Sequence, residues 1–167
     1  FAQAYPLIQI EMHCEASSIL IQRQDLDLTV ITRKPGEEIG QLLRHERLVW
    51  AAAPGFCLEE HTVLPLAMPG PEFFCTQWAC KALEGCGRDF RLAYHSSSVA
   101  AIMAVVSASL AVTAHMGSLV TDDLRVLGAA DGMPELPAAS IMLLRHPQKN
   151  SPITECLAEH IVEGFRL

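Results

Sequence analysis

Ile8, Ile10 and Met12 alternate with Gln9, Glu11 and His13, the period of a half-buried strand. The Glu15-Ala16-Ser17-Ser18 stretch then offers hydroxyls for a helix N-cap, and residues 19–24 suit a short helix. Residues 26–32 (LDLTVIT) read as a second strand, rich in β-branched side chains and closed by Arg33-Lys34-Pro35-Gly36. Strand, short helix and strand predict a βαβ unit with parallel strands.

Further along, the apolar run 48–53 ends at Pro54-Gly55, a turn after another strand. Residues 64–68 form the next strand candidate, broken by Pro69-Gly70-Pro71, and a helix over about 73–83 ends near Gly85. Residues 90–95 read as a strand, after which Ser96-Ser97-Ser98 can cap a helix whose apolar positions Val99, Ile102, Met103 and Val106 recur at helical spacing. Three more strands are expected at 110–114, 124–127 and 140–144. A final helix has Ser151 as N-cap, Pro152 at its first position, and Ile153, Leu157, Ile161 and Phe165 as its buried stripe. Strands alternating with helices argue for an α/β fold with mostly parallel sheet.

Composition narrows the function classes. Half of the 167 residues are apolar and the mean hydropathy is +0.25, which excludes a disordered chain. Nineteen acidic against twelve basic residues give a net charge of −7, and a surface of that sign repels phosphate backbones. Direct grip on DNA is not expected of this chain. Residues 93–121 carry no Asp, Glu, Lys or Arg, but the most apolar part, 99–114, is interrupted by Ser107, Ser109 and Thr113. It also falls short of the ~20 residues of a membrane span, so a buried helix running into a buried strand is expected instead, in a cytoplasmic protein. No basic segment followed by an apolar one opens the chain, so no signal peptide is read there.

The six cysteines, at 14, 57, 75, 80, 86 and 156, contain no CxxC and are expected to be buried free thiols. Spacings of five and six among Cys75, Cys80 and Cys86 do not suit tetrahedral zinc, and no metal or cofactor is expected. No GxSxG elbow, P-loop or GxGxxG fingerprint is present. His95 beside Ser96-Ser97-Ser98 has the composition of a nucleophile–base pair, yet serines before a helix more simply cap it and aim free N–H groups outward. Binding, not catalysis, is the expectation.

Three passages carry a family resemblance. Residues 11–32, a strand, a Ser-containing helix start and then QDLDLTVIT, resemble the G-x-L-D-L-A-I passage of LysR-type transcriptional regulators. HERLVWAAAPGF (45–56) is similar to their PLVLVAPPGH passage, and HSSSVAAIMAVVSASLAVTAHM (95–116) to their S-x-x-A-I-x-x-V-x-x-G-L-G-V-A helix and strand. DLRVLGAADGMPELP further resembles the branch of LrhA- and HexA-like regulators, which control motility and secreted factors.

The resemblance implies an effector-binding domain of periplasmic-binding-protein-like (type II) build. It has two Rossmann-like lobes, here 1–50 with 146–167 and 51–145, and a small-molecule effector between them. DNA would be contacted only through a helix-turn-helix domain outside this chain, and the domain would form a homodimer or tetramer, with the strand at 8–13 and the following helix as one pairing surface. The family's first strand, and the Ser or Thr early in its first helix that contacts ligand, would precede Phe1.

Ser17, Ser18, Thr32, Arg33, Ser96, Ser97 and Ser98 are the effector contacts that the resemblance implies, at the strand ends and helix starts where open α/β sheets bind ligands. Arg33 is the one cation among them, which favours an anionic effector. The family's G-L-G is Ser109-Leu110-Ala111 here, and glycine is used where φ is positive or backbones approach closely, so strain is expected at Ser109. A free-standing solute-binding protein is the first alternative, supported by an upstream signal peptide and removed by an upstream helix-turn-helix. A small α/β enzyme using His95 or a cysteine is the second, and convergent pKa-perturbing partners around those groups would support it.

Overall fold

In the computed structural model, which describes every residue except Glu38, Asn150 and Leu167, the chain divides into two units. One is Phe1–His45 with Ala139–Leu167, and the other is the inserted stretch Glu46–Ala138. The crossings of this division fall inside one strand and after the first residue of another.

The first unit is built on β1 (Leu28–Arg33) and β7 (Ala138–Arg145), which pair antiparallel from Leu28↔Arg145 to Arg33↔Ser140. The helix α1 (Ser17–Leu20) is four residues long and lies against β1. Leu20, Ile31 and Met142 form the local core, with Ile21, Leu26, Ile39 and Leu144 packed around them. Ile31 and Met142 face each other in register, so the alternation of the two strands delivers both side chains to the same face. At Gly40 the backbone takes φ +80°, and a Cβ there would meet the Leu143 carbonyl oxygen at 2.5 Å. The helix α4 (Pro152–Gly164) begins as expected, with Ser151 Oγ accepting the Thr154 amide at 3.1 Å and Pro152 in the first turn. Its expected stripe is only half-buried, and Ala158 is its one fully buried residue.

Two expectations fail in this unit. Residues 8–13 form no strand: the segment pairs with no strand among the described residues, and Leu7 and Met12 are 96% and 84% exposed. Alternation marks a strand only where a neighbouring strand takes up its hydrogen bonds and covers its apolar face, and neither is present among the described residues. Without that strand there is no βαβ unit, and β1 runs antiparallel to its partner.

In the second unit the long strand β2 (Gln41–Ala52) enters from the first and pairs antiparallel with β5 (Thr113–Met116) and β6 (Arg125–Leu127). The strands β3 (Leu64–Met68) and β4 (Phe90–His95) pair in parallel, joined by α2 (Phe74–Cys86), and Leu66 makes a parallel bridge to Val112. Pairing is thus antiparallel for β1–β7, β2–β5 and β2–β6 and parallel for β3–β4, and among the described residues the expectation of mostly parallel sheet gives way to a mixed arrangement. Every residue of β3 is buried, as a strand covered on both faces requires. The helix α3 (Val99–Ser107) sets Ile102 and Val106 into a core of small residues, Ala51, Ala53, Ala67 and Ala111. At the exit of α2 it is Gly87, with φ +70°, that takes the left-handed cap position, two residues after the expected Gly85.

All six cysteines are free, but only Cys75 is buried; Cys14, Cys57 and Cys86 are exposed. The buried face of α2 runs through Cys75, Ala79 and Leu83, and Cys86 lies in the last turn beyond it. No helix among the described residues is long and apolar enough to cross a membrane.

Candidate functional site

In the first unit, Ser17, Thr32 and Arg33 meet at one corner. Ala16, not a serine, occupies the N-cap position of α1 and makes no side-chain cap, so the hydroxyls of Ser17 and Ser18 do not serve that role. Ser17 Oγ instead accepts the amide of Thr32 at 3.0 Å, tying the start of α1 to the end of β1. Ser18 points to solvent.

Arg33, the last residue of β1, stands opposite Ser140 of β7, and residues in direct register share a face. Ser140 is wholly buried, and its hydroxyl is hydrogen-bonded to His45 Nδ1 of β2 at 3.2 Å. Guanidinium, hydroxyl and imidazole thus follow one another across three neighbouring strands, β1, β7 and β2. Arg33 forms no ion pair among the described residues, and its Nε is buried without a hydrogen-bond partner. By contrast Arg145 is held by Glu155, at 3.0 Å, and by Gln41, and Arg23 by Glu15 and Asp25. A half-buried cation left without an acceptor is costly unless a ligand supplies one.

Ser140 and His45 were not among the residues singled out in the sequence. One signal was available: Ser140 is the only hydroxyl within the apolar stretch AASIMLL, and a buried hydroxyl must find a partner. The partner itself is 95 residues away in sequence, which no local pattern reveals.

In the second unit, Ser96, Ser97 and Ser98 follow β4 as expected. Ser98 is the N-cap of α3, its Oγ accepting the Ala101 amide at 3.4 Å, and Ser96 Oγ accepts the amide of Ser98 at 3.1 Å. Ser97 is exposed. His95 makes no hydrogen bond to any of the three among the described residues, so the geometry of a nucleophile–base pair is not formed. Nor are Cys75 and Cys80 activated: burial pushes Cys75 up to about 11, and burial together with Glu84 raises Cys80. At the far end of α3, Ser109 adopts φ 59°, the left-handed conformation expected where the family carries glycine. Among the described residues no group of three His, Cys, Asp or Glu side chains is placed to hold a metal ion.

Comparison with known proteins gives this geometry a context. The chain is 32% identical over 164 residues to the HTH-type transcriptional regulator DgdR of Burkholderia cepacia, a match covering 96% of this chain and 56% of that protein. It is 26% identical over 160 residues to the HTH-type transcriptional regulator PecT of Dickeya dadantii (strain 3937), covering 95% and 50%. The chain therefore spans about half the length of these curated relatives. Among solved structures it is similar to the regulatory domain of CcmR from Synechocystis PCC6803, determined in complex with 2-PG. The TM-score is 0.71 at 17% identity, covering 98% of this chain and 86% of that one, and the likeness establishes a periplasmic-binding-protein-like α/β fold. The family model described as the LysR substrate binding domain matches residues 1–166, and the chain belongs to that family.

Proposed function

We propose that this chain is the effector-sensing part of a bacterial, cytoplasmic LysR-type transcription regulator, and that its effector is a small anion held by Arg33. The observation that carries the proposal is Arg33 itself, without an ion pair among the described residues and with a buried Nε that has no hydrogen-bond partner, opposite Ser140 and next to the Ser17–Thr32 tie. A carboxylate or phosphate would supply the missing acceptors through charge-assisted hydrogen bonds. Ser17, Ser18 and Thr32 would add neutral contacts in the first unit. In the second unit, Ser96, Ser97 and Ser98 at the start of the nine-residue α3 are the candidate neutral contacts of that unit, considered by itself. The CcmR regulatory domain was solved with 2-PG and the effector-binding domain of QuiR with shikimate, which supports a small polar ligand here.

The reading is binding without catalysis. Effector would favour one of two conformations of the domain, and the regulator's output would follow the shift in their populations. DNA would be contacted by a helix-turn-helix outside this chain, consistent with the relatives' names and with a charge of −7. A second copy of the chain is the natural cover for the exposed apolar side chains of the unpaired segment, Leu7, Ile8, Ile10 and Met12, giving a homodimer or tetramer. Calorimetric titration of the 167-residue chain with a panel of small carboxylates and phosphates tests the effector reading. At least one should bind saturably and more weakly as salt is raised. A panel without a saturable binder overturns it.

A further inference from the structure

The second unit holds a pocket that the effector reading does not use. It lies where β3 and β4 begin: His61 and Thr62 come just before β3, and Arg88 and Asp89 immediately precede β4. The Leu64 amide donates to the Asp89 carbonyl at 2.9 Å, which joins the two strand starts. Ser96–Ser98 follow the opposite end of β4, six residues on, and at about 3.3 Å per residue the two ends are roughly 20 Å apart. The pocket is open to solvent and has a volume of 430 Å³, within the range of small-molecule sites.

Its polar groups are fixed in place. The Leu58 carbonyl accepts from Arg88 Nη2 and from the His61 amide, each at 3.3 Å. The His61 ring is stacked on Phe56, with centroids 4.8 Å apart and planes 10° from parallel. Gly132 closes the rim at φ +70°, and a Cβ there would sit 3.6 Å from Arg88 Nη1. The absence of a side chain at that point leaves this edge of the guanidinium open. Arg88 and Asp89 both line the pocket, yet among the described residues neither forms an ion pair, with the other or with any third group. One positive and one negative residue, neighbours in sequence on the lining of one pocket and each without an ion pair among the described residues, suit a molecule that carries both signs.

We propose that this pocket is a second ligand site, taking a small zwitterion of the α-amino-acid type. Its carboxylate would meet Arg88 and Thr62, its ammonium Asp89, and its side chain the His61 ring, which the buried Phe56 backs from behind. A simple anion would fit worse, because Asp89 repels it, and a simple cation worse for the same reason at Arg88. The site is independent of the anion reading at Arg33, and either can fail without the other.

Amide-resolved NMR titration of the 167-residue chain with three matched probes tests the proposal: L-leucine, 4-methylpentanoate, which lacks the amine, and 3-methylbutylamine, which lacks the carboxylate. L-Leucine should bind saturably in the millimolar range or tighter, shifting the amides of Arg88, Asp89 and Gly132, and both analogues should bind at least tenfold more weakly. Asp89→Asn should weaken L-leucine at least tenfold while strengthening 4-methylpentanoate, a reversal that a merely structural role for Asp89 would not produce. Arg88→Lys, which keeps the charge but loses the fork, should weaken both carboxylates, and the unchanged remainder of the spectrum reports that the unit is folded. Absence of L-leucine shifts, equal binding of L-leucine and 4-methylpentanoate, or shifts confined to residues 96–98 would each overturn it.

Discussion

In the first unit Ser17 Oγ accepts the amide of Thr32, on a different element, whereas in the second Ser98 Oγ accepts the amide of Ala101 within its own helix. The first bond joins a helix start to a strand end and is part-buried; the second is exposed and local. A cation also stands next to the first corner and none among the serines of the second: Arg33 succeeds Thr32, while Ser96–Ser98 are flanked by His95 and Val99. Similar side chains at similar positions of two α/β units thus have different uses. In one corner the serine is a fastener that leaves the charge next to it free. In the other the serines mostly satisfy the backbone that carries them.

The largest effect expected from this contrast is on affinity. Arg33→Ala should weaken the best binder of the anion panel by about 2–5 kcal/mol, as loss of a charged partner in a desolvated site does, while Ser97→Ala should change it little. Equal calorimetric affinity of wild type and Arg33→Ala would show that the first corner is no more specialised than the second. Stability should divide in the same way. Ser17→Ala strands the part-buried Thr32 amide and should cost about 1–2 kcal/mol. Ser98→Ala removes an exposed cap and should cost about 0.5–1 kcal/mol. Urea unfolding of both variants measures the gap, and indistinguishable midpoints would remove the distinction between fastener and cap. The smallest effect is a gain at the other end of α3: Ser109→Gly relieves the left-handed conformation and should add about 0.5–1 kcal/mol. A loss in the same unfolding assay would mean that the Ser109 side chain holds something the backbone angle does not reveal.

What the sequence made legible were elements whose burial is decided locally. Residues 64–68 are apolar throughout and become the wholly buried β3, and Ser151-Pro152 marks the start of α4 to the residue. Segment 8–13 misled because its alternation is a statement about a missing neighbour, which the segment cannot itself report. The direction of strand pairing was equally out of reach, since β1 finds its partner more than a hundred residues away. For the site, Ser17, Thr32 and Arg33 could be named because they sit at a helix start and a strand end. The role of Ser17 could not, because a capping hydroxyl and one that reaches another strand have the same sequence. Ser140 and His45 escaped for the reason the pairing of β1 with β7 did: long-range register is not written in either segment alone.

The chain's two crossings also order its assembly. All 93 residues of the inserted unit lie between the two halves of the first, so a ribosome completes Glu46–Ala138 before β7 and α4 exist. The first unit has to wait, holding β1 unpaired through that interval. The inserted unit shortens the wait in another sense. Once it is folded, Trp50 Nε1 donates to the Pro134 carbonyl at 2.8 Å, so the strand that enters it and the segment that leaves it are already side by side. An 84-residue separation then costs no more chain entropy than a tight turn, and what remains for β7 is to continue from a point that is already fixed.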